Sequence, residues 1–370
     1  MIYLDYQATT PLAPEVAAEM RPWIEENFAN PHSPSRWGRE AAAAIEMARD
    51  RVEQALGLYG GRFAFTSGAT EALNWALKGT FEQSKRRKLI TVATEHAAVL
   101  DTAEWLEEQE VDVVRLPVSS GGLIDLDMAE ATIGPDTAVV AVMLVNNEIG
   151  VIQQVADLAR MAHQAGALML CDAVQGFGRM PIPEGPDLVA VSAHKIHGPK
   201  GIGGLWMRAG AEPAPLLHGG GQEQGIRSGT LAPALCVGLG EAARLAVERR
   251  EADAVHVEKL FEIALATLGQ GWIINGSSIN RYHGNLNLRR EGLDGARLIS
   301  DMRNIAFSLG SACASGSGRP SHVLRAIGLT DRQARSSIRL GFGRYTGEEE
   351  LASACRRIDE AARVQQVLPA

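Results

Sequence analysis

Short apolar runs alternate with longer amphipathic ones through the first half of the chain. "RFAFTS" (62–67), "KLITVAT" (88–94), "VDVVRLPV" (111–118), "TAVVAVMLV" (137–145), "ALMLCDA" (167–173) and "DLVAVSAH" (187–194) are rich in β-branched and apolar residues. Continuous apolar runs of this length suit strands buried on both faces. Segments 69–83, 97–109 and 155–165 read as helices between them. Strands alternating with helices predict an α/β layer around a mostly parallel sheet. Residues 232–268 read as one or two long helices, with a domain boundary inside them near 250. The remainder has a looser α+β pattern and ends in a helix from about 347. Thr346 is its expected cap, with acids in the first turn. The expected organisation is a large α/β domain over 13–250 and a smaller α+β domain built from 1–12 plus 251–370.

Composition narrows the possibilities. The 370 residues carry a net charge of −8, which argues against broad contact with a phosphate backbone and so against nucleic-acid binding. The basic cluster "KRRK" at 85–88 reads as a solvated helix end. No run of 18 or more apolar residues appears, and the N-terminus has neither a basic nor a long apolar leader region, so membrane insertion and export are not expected. Cys171, Cys236, Cys313 and Cys355 are widely spaced, without a CxxC pair. Free thiols in a reducing cytoplasm are the expectation.

The polar residues of interest follow the predicted strands, which is where open α/β sheets bind ligands. "FTSGATEALN" (65–74) places Thr66, Ser67, Gly68, Ala69 and Thr70 at a helix N-terminus, a site for an anion or simply a cap. It is not a P-loop, because no GK[ST] follows. His96 sits between a strand and a helix, where capping and chemistry are equally suited. Asn146 and Asn147 follow another strand, as turn residues or as ligands. Asp172 ends a very apolar strand, where an ionised carboxylate must find a partner, and Gln175 lies three residues on.

"SAHKIHGPKGIGG" (192–204) then offers two lysines. Lys195 closes an apolar run, so partial desolvation lowers its pKa toward reactivity. Lys200 lies in a turn-rich segment and reads as a loop charge or a local structural contact. Ser192 and His194 flank Lys195, and "GGGQEQGIRSGT" (219–230) adds a glycine-rich loop with Arg227, Ser228 and Thr230. A buried lysine forms a Schiff base with an aldehyde cofactor, an aspartate keeps a pyridine nitrogen protonated, and hydroxyls with backbone amides hold a phosphate. Together these elements point to pyridoxal 5'-phosphate.

The chain resembles the cysteine desulfurases, in the class V aminotransferase group of fold type I pyridoxal phosphate enzymes. The matching stretches include "YLDYQATTPL", "NPHSPSRWG", "FTSGATEALN", "TEHAAVLD", "VNNEIGVIQ", "CDAVQ", "SAHKIHGPKGIGGLW", "GGGQEQGIRSGT", "GSACASGS", "SHVLRAIGL" and "SSIRLGFGRYT", nearly the whole chain in order. The resemblance implies a mostly parallel, seven-stranded sheet flanked by helices, with a smaller α+β domain. It implies that Lys195 forms the Schiff base, Asp172 pairs with the pyridine nitrogen, and His96 stacks on the ring and shuttles protons. Gln175 and Asn147 would bond the ring oxygen and the substrate side. Ala69, Thr70, Ser192 and His194 would hold the phosphate, with Thr230 reaching the other subunit's phosphate in a homodimer. Arg339 would bind the substrate carboxylate, assisted by Asn30.

Cys313 lies among glycines and small residues, in a loop expected to be mobile (about 308–320), whereas Cys171, Cys236 and Cys355 fall in predicted core elements. In the family, such a cysteine takes sulfur from L-cysteine as a persulfide, leaves alanine, and passes the sulfur to an acceptor protein. An iron–sulfur scaffold, a tRNA-thiolation carrier and a cofactor-synthesis carrier all suit that acceptor role. Val174 stands where many relatives have a small or hydroxyl residue, and the chain ends sooner after its last helix than relatives that serve scaffolds. A selenocysteine lyase shares almost every motif, and another class V aminotransferase or lyase would not need Cys313.

Overall fold

The computed structural model describes residues 1–309 and 320–367. The apolar runs form one seven-stranded sheet, ordered Gly61–Thr66, Gly203–Arg208, Leu188–Ser192, Leu168–Asp172, Thr137–Met143, Lys88–Val92 and Asp112–Leu116. Neighbours are parallel except where Gly203–Arg208 pairs with its two flanking strands. The largely parallel sheet is therefore present, with one antiparallel strand that the pattern does not mark. That strand opens on two glycines for a packing reason. A Cβ at Gly203 would lie 2.4 Å from the Val191 carbonyl and 2.9 Å from Gly68 Cα.

The strand Thr137–Met143 is buried along its whole length. Val140 and Val142 enter one core cluster, Val139 and Ala141 the other, because strand side chains alternate in direction. Helices Ala69–Gln83 and Ala97–Glu107 cover one face. Arg36–Leu56, Val155–Gln164 and the first half of Pro233–Leu268 cover the other. Arg36–Leu56 is not marked by the hydrophobic pattern. It buries Ala41, Ile45, Ala48, Val52 and Ala55 at helical spacing, but alanine carries most of that stripe and signals hydrophobicity weakly. Pro14–Glu25 is likewise unmarked and holds Pro22 inside it.

Residues 232–268 resolve into a single helix, Pro233–Leu268. Cys236, Leu239 and Leu245 pack into the sheet's core, while Leu260, Phe261, Ala264 and Leu268 join a separate cluster with Leu4, Leu288, Leu340 and Ile358. This second cluster carries an antiparallel sheet of Trp272–Ile274, Asn285–Arg290 and Ser337–Gly341, together with helix Glu348–Val367. Ile2–Tyr3 pairs in parallel with Ile305–Ala306, which fastens the N-terminus to this C-terminal unit.

Two local expectations change. Thr346 does not cap the last helix: its hydroxyl accepts the Gly343 N–H at 3.1 Å and closes the preceding turn. The cluster at 85–88 is not simply a solvated helix end. Arg86 donates to the carbonyls of Thr137, Ala165 and Gly166, and Lys88 to that of Thr132, so both secure loops at the sheet's lower edge. Among the described residues, no helix is long and apolar enough to cross a membrane.

Candidate active site

The parallel strands deliver their following residues to one edge of the sheet. Leu168–Asp172 ends in Asp172, and its neighbour Leu188–Ser192 runs directly into the 3-10 turn Ala193–Lys195. His96 and Asn147 come shortly after Lys88–Val92 and Thr137–Met143. Ala69 begins the helix that follows Gly61–Thr66. A cavity of about 690 Å³ opens there, lined by Ala69, Thr70, His96, Asn147, Asp172, Gln175, Ser192, His194, Lys195 and Arg339. The expected site residues thus converge, with three exceptions. Asn30 is exposed and outside the cavity, its side-chain oxygen accepting the His32 N–H at 2.9 Å. Thr230 is exposed and also outside it. Cys313 lies outside the described residues.

The Lys195 amine donates to the carbonyls of Gln7 at 2.5 Å and Ala8 at 2.8 Å. Burial, with the nearby charges of Arg179 and Arg339, pushes it down to about 8, against the pull of Asp5 and Asp172. Asp172 is 6% exposed, and one of its oxygens accepts the Val174 N–H at 2.9 Å. Burial raises its carboxyl above the ordinary range, opposed by that hydrogen bond and by the neighbouring His96 and Lys195. Val174 reaches this network through its backbone, and it also lines the cavity.

His96 caps helix Ala97–Glu107, its Nδ1 accepting the Ala98 N–H at 3.1 Å. Burial lowers its pKa, so the ring is neutral and its proton sits on Nε2. Directly before it, Glu95 is fully buried and its carboxyl is held well above the usual range by desolvation. His194 is pushed down to about 4 by burial and by Lys195, Lys200 and Arg179, and its Nδ1 contacts the Thr9 hydroxyl at 3.1 Å.

Among the described residues no side chain caps the helix Ala69–Gln83, whose first residues, Ala69 and Thr70, line the cavity. Glu71 accepts the Ser67 N–H at 2.7 Å and a two-pronged contact from Arg227 at 2.8 and 3.1 Å. That ion pair seats the 219–230 loop beside the same helix end. Arg339 is 1% exposed and donates to Asp5 at 2.6 Å and to the Asn147 carbonyl at 2.9 Å. Gln175 donates to the Gln7 carbonyl at 3.0 Å and accepts from Arg179 at 2.6 Å.

Several lining residues escape sequence reasoning. Lys200, read as a loop charge, borders the cavity, as do Gln7, Ala8 and His322. His322 donates from Nε2 to the Glu95 carbonyl at 2.9 Å, across 227 residues. Only its place in the matching stretch "SHVLRAIGL" points to it. Cys171, Cys236 and Cys355 are buried, and burial pushes the Cys236 and Cys355 thiols to about 12 and Cys171 well above its usual range. None of these three is placed as a nucleophile.

The chain is similar to known proteins along nearly its whole length. Cysteine desulfurase IscS of Rickettsia akari (strain Hartford) is 43% identical, over 98% of this chain and 92% of its own length. The protein of that name from Rickettsia bellii (strain OSU 85-389) is 44% identical, over 96% and 90%. Among solved structures, a NifS-like protein superposes with a TM-score of 0.90 at 34% identity, covering 98% of this chain and 99% of its own. A structure of SspA in complex with cysteine superposes with a TM-score of 0.83 at 36% identity, over 94% and 100%. With the family pattern also matching residues 2–353, the chain belongs to the aminotransferase class-V family.

Proposed function

We propose that this chain is a cysteine desulfurase that uses pyridoxal 5'-phosphate. The observation that carries the reading is a single cavity holding a desolvated lysine, a buried aspartate and a substrate-facing arginine: Lys195, Asp172 and Arg339. The relatives named cysteine desulfurase, and the related structure that holds cysteine, support the choice of reaction.

The residues fit the cofactor. Asp172 has one oxygen engaged by Val174 and is strongly desolvated, so it would hold a protonated ring nitrogen as a counter-charge. The uncapped helix N-terminus at Ala69 and Thr70, with Ser192 and His194, suits a phosphate. When bound, pyridoxal phosphate supplies an electron sink that weakens the bonds of the substrate's α-carbon.

The protein's part follows from its own groups. Lys195 Nζ, lowered to about 8, is partly neutral near pH 7, which suits it to attack a carbonyl and then to move a proton. His96 presents an Nε2 proton from a ring whose other nitrogen is fixed by Ala98. Asn147 and Gln175, which line the cavity, would bond the ring oxygen and the substrate side. Arg339, held along one edge by Asp5 and Asn147, binds the cysteine carboxylate. Cys313 thiolate attacks the substrate sulfur, the carbon–sulfur bond breaks, and the carbon takes a proton, so that cysteine plus enzyme thiol gives alanine plus enzyme persulfide. An acceptor-protein thiol, for example on an iron–sulfur scaffold, then takes the outer sulfur. On this reading the working form is a cytoplasmic homodimer, with the exposed Thr230 reaching the partner's phosphate and Asn30 assisting the substrate.

Lys195→Ala is expected to abolish the cofactor's Schiff-base absorption. Cys313→Ala should keep that band and lose sulfide release from cysteine. Full cysteine turnover by Cys313→Ala would overturn the desulfurase assignment in favour of another class V reaction. Faster turnover of selenocysteine than cysteine would instead favour a selenocysteine lyase.

A further inference from the structure

A second cavity, of about 320 Å³, lies behind the lysine segment, where the long helix Pro233–Leu268 meets residues 281–283. Four arginines line it: Arg179, Arg250, Arg281 and Arg344. Its carboxylates are already committed. Asp253 holds Arg344 at 2.7 and 2.8 Å, and Glu258 holds His283 at 2.5 Å. The other three arginines have no carboxylate partner among the described residues. Arg179 donates to Gln175 and to the Lys195 carbonyl, and lies over the Tyr282 ring at 5.0 Å. Arg281 donates only to the carbonyls of Ser277 and Ile149. Arg250 has neither a hydrogen bond nor an ion pair among the described residues, and the Nε atoms of Arg250 and Arg281 are buried without a partner.

Burying guanidinium groups without counter-charge is costly, and desolvation alone draws Arg281 down to about 10. Arg281 is 5% exposed, so water does not offset that cost. Buried Arg281, with the half-buried Arg179 and Arg250 beside it around one small cavity, forms a built receptor for negative charge. We propose that this cavity binds a small polyvalent oxyanion, with Arg250, Arg281 and Arg179 as its ligands. Planar guanidinium forks match the paired oxygens of phosphate and carboxylate alike. The cavity volume holds either inorganic phosphate or a compact polycarboxylate. Its occupant sits on the far side of the lysine segment: Lys195 borders both cavities, while Arg179 lines only the second and bonds the Lys195 carbonyl.

The test is calorimetric titration of the cofactor-loaded enzyme with inorganic phosphate and, separately, with citrate, at constant ionic strength in chloride. Loading the cofactor fills the first cavity's phosphate cradle. Saturable binding at one site per chain is expected for at least one of the two, and the tighter one identifies the source. Arg250→Met should weaken it about tenfold or more while leaving turnover without added anion unchanged. Arg250 is only partly buried and has no bond among the described residues, so the variant is expected to fold, which a matching melting temperature checks. Absence of saturable binding to either anion overturns the proposal. So does binding that survives Arg250→Met but vanishes in Arg339→Met, which places the anion at the substrate arginine. The measurement needs no substrate, so it stands whichever class V reaction the first cavity runs.

Discussion

The two walls of the first cavity are built on different principles. The sheet-edge wall, with Asp172, His96 and Lys195, gathers residues that each follow a neighbouring buried strand. The opposite wall, with Arg339, Gln7 and Ala8, is tied by contacts between the ends of the chain: Arg339 reaches Asp5 across 334 residues, and Lys195 reaches Gln7 across 188. The sheet edge desolvates its ionisable groups and shifts them. The other wall pins an arginine between a carboxylate and a carbonyl. The comparison teaches that one wall is shaped to alter proton affinities and the other to hold a charge in place.

Three measurements would sharpen or break this division. The largest effect is expected for Asp172→Asn, which keeps the side-chain shape but loses the charge. With Asp172 as the pyridine partner, kcat should fall about a thousandfold with little change in KM for cysteine. A change confined to KM would break the division.

The next effect concerns Lys195 in the cofactor-free protein. Its pKa falls from an ordinary 10.5 to about 8 on folding, so between those values the unfolded chain binds more protons than the folded one. Stability should therefore rise with pH across that window, by on the order of 3 kcal/mol. Lys195→Met should flatten the rise and be more stable than the parent at pH 7. Denaturant melts at pH 7 and pH 10 decide this, and an equal rise in both proteins would assign it to other groups.

The smallest effect is expected for Arg339→Lys. It keeps the positive charge but loses the planar fork, so KM for cysteine should rise about tenfold to a hundredfold. kcat should be largely retained. Matching losses in kcat for Arg339→Lys and Asp172→Asn would merge the two walls into one functional unit.

The contrast also explains what can be read from sequence. Lys195, Asp172 and His96 are legible because each directly follows a short apolar run, and local pattern places such residues at a sheet edge. Gln7 and Ala8 contribute only their carbonyls to Lys195, and no side-chain type records that use. His322 acts from a short C-terminal helix whose contact with Glu95 depends on how the two units meet. Lys200 is the exposed turn residue its neighbours suggest, and its place on the cavity rim is the part that local pattern does not show. Arg250 and Arg281 are unremarkable singly, and only the packing of the long helix against residues 281–283 makes them neighbours. Among the elements, the strands are readable from β-branched runs, whereas Arg36–Leu56 is hidden by its alanines.

The tie between Asp5 and Arg339 also sets an order of events during synthesis. Residues 5–8 are made long before the arginine that completes their wall, at residue 339. Chain growth at about 5–20 residues per second leaves the amino-terminal segment waiting for many seconds. The large sheet has all its strands by Arg208, well before that contact can close. The wall beside the lysine is thus completed only after the sheet, and a change at residues 5–8 acts on the Lys195 amine through that wall.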